Sequence, residues 1–146
     1  PYFIGHDLHG GTGSGTGSYI FEFEPAISEV RLNFSGISHT SSDNEVVRIF
    51  VNGKHYQIKK EGKQNGCDAQ AILTKEGDIG VAEGVSVGGW TGTIIKENIK
   101  TLEIQNKVLK GTPAGSLFSI FITAGKPLSA EEELTLQRMR EAGYVR

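Results

Sequence analysis

Between residues 19 and 122 the chain repeatedly alternates apolar and polar residues with a period of two, the pattern of half-buried β-strands. Tyr19, Phe21 and Phe23 face one way, Glu22 and Glu24 the other. Beyond Pro25 the pattern resumes, with Val30, Leu32 and Phe34 inward and Arg31 and Asn33 outward. A Ser-, Thr- and Asp-containing loop over 39–44 leads to Val47, Ile49 and Val51, then Asn52-Gly53, then a further strand over 54–58. Asn-Gly between two β-rich runs predicts a hairpin, because both turn residues accept positive φ. A strand is expected over 69–73, a turn over 75–78, and one or two short strands over 79–87, broken by Gly80 and Gly84. Residues 88–92, Gly-Gly-Trp-Thr-Gly, read as a loop carrying the single Trp90. Two clear strands follow, 101–105 and 117–122, the second apolar almost throughout, as suits a strand covered on both faces.

The ends differ from this middle. Tyr2, Phe3 and Ile4 form a short apolar run that can add a strand to a sheet edge. Residues 10–18, GGTGSGTGS, have the composition of a linker. They are either a glycine-rich loop within the fold or a tether joining an N-terminal peptide to the domain. At the other end Ser129 and Glu132 form a capping box, Glu131–Glu133 lie at the positive end of the helix dipole, and Gly143 is a natural terminator. Leu134, Leu136 and Met139 give this helix only a narrow apolar stripe, suited to the domain surface or to docking on a partner. The expected organisation is an N-terminal strand or peptide over 1–9, the glycine-rich stretch over 10–18, a β-sandwich over 18–125 and a helix over 126–146.

Size and composition narrow the picture further. At 146 residues the chain is one domain able to bury a real core, and 37% hydrophobic with 22% charged residues suits a folded protein. Its 20 glycines exceed the average of about 7% and, set among apolar strands, point to many tight turns. A net charge of −2 gives no overall basic footprint for nucleic acid. No run of about 20 apolar residues is present to span a membrane, and the first residues do not have the charged-then-apolar form of a secretory signal. The single Cys67 has no internal disulfide partner and reads as a loop thiol.

The runs GTGSYIFEFEPAISEVRLNFSGI and EVVRIFVNGK resemble the opening of jelly-roll-like sandwich domains of bacterial surface and secreted proteins. The matching residues are Tyr19, Phe21, Phe23, Pro25, Val30, Phe34, Val47, Val51, Asn52 and Gly53, with 99–106 and 118–122 fitting the same plan. The resemblance covers roughly residues 18–123 and stops short of the helical tail. It implies an all-β antiparallel sandwich, an extracellular or cell-surface location, and binding rather than catalysis, since such families include adhesive and carbohydrate-binding modules.

Candidate chemistry follows from residue types. Trp90 offers a flat apolar face for a sugar ring if exposed, or seals one end of the sandwich if buried. Asp43, Asn44, Asn65 and Asp68 are the polar groups expected to surround a ligand. Gln64 joins them as a further hydrogen-bonding group. His6, Asp7 and His9 are suitable metal ligands, but residues three apart on a strand face opposite ways. No cofactor is expected; residues 41–45, Ser-Ser-Asp-Asn-Glu, are the one segment whose oxygens suit calcium, without the EF-hand spacing. The alternating glycines at 13, 15 and 17 precede a strand, not a helix, so they are no dinucleotide fingerprint, and no catalytic motif is found. The leading expectation is a non-enzymatic carbohydrate-binding module. The alternative is a protein-interaction or assembly module, including self-association, that uses Tyr2, Phe3 and Ile4 or the helix residues Leu134 and Met139. A glycoside hydrolase, which needs two opposed carboxylates, comes third.

Overall fold

A computed structural model of the chain describes residues 2–8, 15–113, 115–123 and 130–143; for 2–8, 123 and 133 only the course of the backbone is described. Period-two patterning becomes nine strands: β1 (Tyr2–Leu8), β2 (Thr16–His39), β3 (Asn44–Val51), β4 (Lys54–His55), β5 (Ala69–Gln70), β6 (Ile72–Leu73), β7 (Ile79–Gly80), β8 (Val85–Lys110) and β9 (Ser116–Thr123). One helix follows, α1 (Ala130–Glu141). The strands form one sheet in the order β1-β9-β2-β8-β3-β7-β6, with β4 on β3 and β5 on β8. All pairings are antiparallel except β5 with β8, so the sheet is mixed.

Two very long strands set the shape. β2 pairs with β8 in two stretches, Thr16–Glu22 against Lys107–Thr101 and Ile27–His39 against Ile99–Val85. The ladder breaks around Pro25, which has no N–H to contribute. His39 at the end of β2 lies opposite Val85, the first residue of β8, and also opposite Asn44, the first residue of β3. Asn44 in turn lies opposite Lys110, the last residue of β8. Both ends of β8 thus arrive at the same turn, and the sheet curls nearly into a barrel. The mostly β class and the C-terminal helix match the sequence reading; the layers are continuous through β2 and β8.

Inward-facing residues make the core: Val30, Leu32 and Phe34 of β2, Val47, Ile49 and Val51 of β3, Ile95, Ile99, Leu102 and Ile104 of β8, and Phe118, Ile120 and Ile122 of β9. Tyr19, Phe21 and Phe118 cluster at its margin, with ring centroids 5.4–6.5 Å apart. The predicted hairpin forms at Asn52-Gly53, both with positive φ (52° and 80°), although only Lys54 and His55 continue as strand. The strand expected over 69–73 is two short pieces, β5 and β6, which pair with different neighbours.

The segment expected to be a loop over 88–92 lies inside β8. Its glycines serve close approach instead of a turn. A Cβ on Gly88 would stand 2.2 Å from Val81 Cγ1, and one on Gly89 would stand 2.2 Å from the Phe34 carbonyl oxygen. Only Gly92, with φ 88°, carries a backbone kink within this stretch.

One buried polar network crosses the interior. Glu45, wholly buried, accepts from the Ser38 backbone N–H (3.1 Å) and from Asn106 Nδ2 (2.9 Å), which also donates to Ser116 Oγ (3.1 Å). Such satisfaction is what permits a carboxylate at this depth. The helix, by contrast, has no buried side chain among its described residues, and Gly143 at its end takes the positive φ (81°) expected of a terminator. Ser129 of the expected capping box lies outside the described residues. No helix is long and apolar enough to cross a membrane among the described residues.

Candidate functional site

A groove of about 960 Å³ lies on the outward face of β2, β8 and β9. Register builds one wall. Ile94 of β8, Arg31 of β2 and Phe121 of β9 lie abreast on three adjacent strands, because Arg31 is the Cα partner of both others. On either side of this row stand Asn33, which accepts from the Gly92 N–H (2.9 Å), and Lys96, 3.7 Å from Glu29. Alternation points all of them away from the core, since their neighbours Val30, Leu32, Ile95, Ile120 and Ile122 are buried.

The opposite wall is the connector after β4, residues 56–63, pinned at four points. Tyr56 N–H donates to the Ile49 carbonyl (2.7 Å), and Ile58 N–H donates to the Gly77 carbonyl (3.0 Å) while its side chain enters the core. Lys63 and Thr91 exchange two backbone hydrogen bonds of 2.8 Å. Gly62 lies so close to the indole that a Cβ there would stand 2.6 Å from Trp90 Cγ and 2.6 Å from the Thr91 carbonyl oxygen. Between these pins Lys59, Lys60 and Glu61 are exposed along the groove.

Among the described residues the lining therefore carries five cations, Arg31, Lys59, Lys60, Lys63 and Lys96, and one carboxylate, Glu61. This is a strong local excess in a chain with 15 basic and 17 acidic residues. Tyr56 and Phe121 contribute half-buried aromatic surface. Among the described residues neither the buried hydroxyl of Thr93 nor the indole N–H of Trp90 beneath Gly62 has a hydrogen-bond partner.

The residues singled out in the sequence sit elsewhere. Trp90 is 0% exposed, clamped between Gly62 and the strand it belongs to, and presents no indole face to solvent. Asn65 Nδ2 donates to the Phe34 carbonyl (3.0 Å), and Asp68 Oδ2 accepts from Ser35 Oγ (2.6 Å), so this pair fastens a loop onto β2. Gln64 of the same loop donates to the Asp68 carbonyl (3.2 Å). Asp43 Oδ1 accepts from the Thr112 N–H (2.9 Å) in the β2–β3 turn, beside Asn44. Ser35 and His39, to which the two pairs are respectively attached, are four residues apart on β2, roughly 13 Å at ~3.3 Å per residue. The structure brings Asn65 together with Asp68 and Asp43 with Asn44, but does not join the two pairs around one cavity.

Residues 41–45 are knitted into their own turn: Thr40 Oγ1 accepts from the Asp43 N–H (3.1 Å), and Lys110 Nζ donates to the Ser41 carbonyl (2.8 Å). Tyr2, Phe3 and Ile4 belong to β1, which pairs with β9 of the same chain. The side chains of His6, Asp7 and His9 lie outside the described residues. Among the described residues no three His, Cys, Asp or Glu groups converge to hold a metal ion. Leu134 and Met139 are exposed on α1, at 47% and 39%. Leu136 and Met139 line a hollow that, among the described residues, has only the helix's own around it.

A second polar cluster also escaped sequence reasoning. Asp78, 2% exposed, accepts from Arg48 Nε (2.8 Å) and lies 2.7 Å from His55 Nε2, and its N–H donates to Thr74 Oγ1 (3.1 Å). It ties the β3–β4 hairpin to the turn before β7, each carboxylate oxygen meeting one of these partners. The one sequence signal for the groove was the local run Lys59-Lys60-Glu61-Gly62-Lys63; Arg31 and Lys96 join it only through register. No family model matches the chain, and no curated protein matches it in sequence.

Proposed function

We propose that this chain is a non-enzymatic carbohydrate-binding module, a variant of the jelly-roll sandwich plan, acting at a bacterial cell surface or in a secreted protein. The observation that carries the reading is the groove between residues 56–63 and the outward face of β2, β8 and β9. It combines aromatic surface, Tyr56 and Phe121, with polar groups fixed on strands, the mixture that suits a ring bearing an apolar face and hydroxyl edges. Its walls hold one carboxylate, Glu61, where glycoside hydrolysis uses a pair. Rigid strands hold one wall and a four-point clamp the other, so little ordering entropy is lost when a ligand enters. Screening the purified protein on a glycan array, with and without calcium, is expected to give selective, calcium-independent binding. A blank array under both conditions ends this reading.

A second reading, self-assembly through the sheet edge, is favoured by one observation. β1 stands at the end of the strand order, with no partner beyond it among the described residues, and an open edge can accept another strand. Under this reading sedimentation of the intact chain shows a dimer that dissociates when residues 1–9 are removed. A concentration-independent monomer rules it out.

A further inference from the structure

We infer that the groove takes an acidic polysaccharide, its carboxylate or sulfate groups lying against Arg31, Lys59, Lys60, Lys63 and Lys96; this rests on the glycan reading above and narrows it. Three observations combine. The groove gathers five of the chain's 15 cations against one of its 17 carboxylates, although the chain as a whole is net negative. The cations come from both walls: Arg31 and Lys96 project from adjacent strands, while Lys59, Lys60 and Lys63 come from the connector facing them. A ligand lying along the groove therefore meets positive charge from two sides. Two of the cations are weakly held: among the described residues Lys59 reaches only the amide oxygen of Gln57 (3.2 Å), and Lys96, 75% exposed, stands 3.7 Å from Glu29. Charge left this exposed stays available to an incoming anion.

A polysaccharide fits better than a nucleic acid for a reason of charge density. Duplex DNA carries about one charge per 1.7 Å and calls for an extended basic field. Here the net charge of −2 supplies no such field over the chain as a whole. An acidic polysaccharide carries far fewer charges per unit length and presents hydroxyls and ring faces between them, which match Asn33, Phe121 and Tyr56.

The test measures binding of the intact chain to four polymers: polygalacturonate for carboxylate, dextran sulfate for sulfate, neutral dextran, and a single-stranded DNA homopolymer. The wild type is expected to bind polygalacturonate, dextran sulfate or both, at least about tenfold more weakly at roughly 0.2 M than at 0.05 M salt. The variant K59E/K60E/K63E is expected to lose about tenfold or more in affinity. K54E/K75E/K100E changes net charge equally at exposed sites away from the groove, and should stay within about threefold of wild type. Far-UV circular dichroism and the thermal midpoint check folding; if the triple groove variant does not fold, K60Q and K63Q singly carry the comparison. Equal losses in the two triple variants overturn the inference, as does tighter binding to DNA than to either acidic polymer. If neutral dextran or neutral array glycans bind and the groove variant leaves that unchanged, the acidic assignment falls while glycan binding stands. If no glycan binds, acidic or neutral, the broader reading falls with it.

Discussion

Trp90→Ala is expected to destabilise the domain by about 3–5 kcal/mol, the cost of emptying the space of a fully buried large aromatic side chain. Against the ~5–15 kcal/mol that holds a typical domain together, that is a large fraction. The thermal midpoint should fall on the order of 10 °C. The cavity cannot easily collapse, because Trp90 is held between its own strand and the Gly62 segment, and both are fixed by backbone hydrogen bonds. Trp90→Phe should cost much less than its lost volume suggests, since it removes an indole N–H that has no partner among the described residues. Urea or thermal unfolding of the two variants decides the matter. A midpoint shift below about 2 °C for the alanine variant would show that Trp90 is not a core residue.

Gly89→Ala is expected to have the second largest effect, about 3 kcal/mol. The added methyl would stand 2.2 Å from the Phe34 carbonyl oxygen and 2.9 Å from Ser35 Cα, both backbone atoms of β2 that no rotamer change can move. The pairing of β2 with β8 must open locally, beside the Phe34–Trp90 register pair. Gly92→Ala is the informative comparison. Space there is open, but φ is 88°, so only the left-handed conformation is penalised, about 1–2 kcal/mol. Stability should fall in the order wild type, Gly92→Ala, Gly89→Ala. If Gly92→Ala proves the more damaging, close packing is not what Gly89 serves.

These two positions also mark where sequence reasoning stopped. Alternation from Tyr19 onward disclosed the inward residues of β2 and β3, because a side chain's face on a strand depends only on counting by two; β9, apolar almost throughout, read as covered on both faces, whereas Leu117 on its outward face is 50% exposed. The Asn52-Gly53 turn was readable for a similar reason, since its φ values depend on those two residues alone. Glycine at 88 and 89 carries two meanings, turn or close contact, and only the neighbouring strand tells them apart. The polar residues Asp43, Asn65 and Asp68 looked free in sequence, yet each bonds to a partner 31–69 positions away. Much of the groove was hidden for the same reason. Lys59, Lys60 and Lys63 are neighbours in the chain, but Arg31, Lys96 and Phe121 reach them only once three strands take their register.

The turn where both ends of β8 meet has a consequence for how the molecule is made. Residues 39–44 must find position 85 and position 110, so the seam closes only after about half of the chain has been gathered in. Contacts so distant along the polypeptide favour slow, concerted assembly over stepwise growth from one end. A cut within β8 would therefore leave neither fragment with a complete hydrophobic interior of its own.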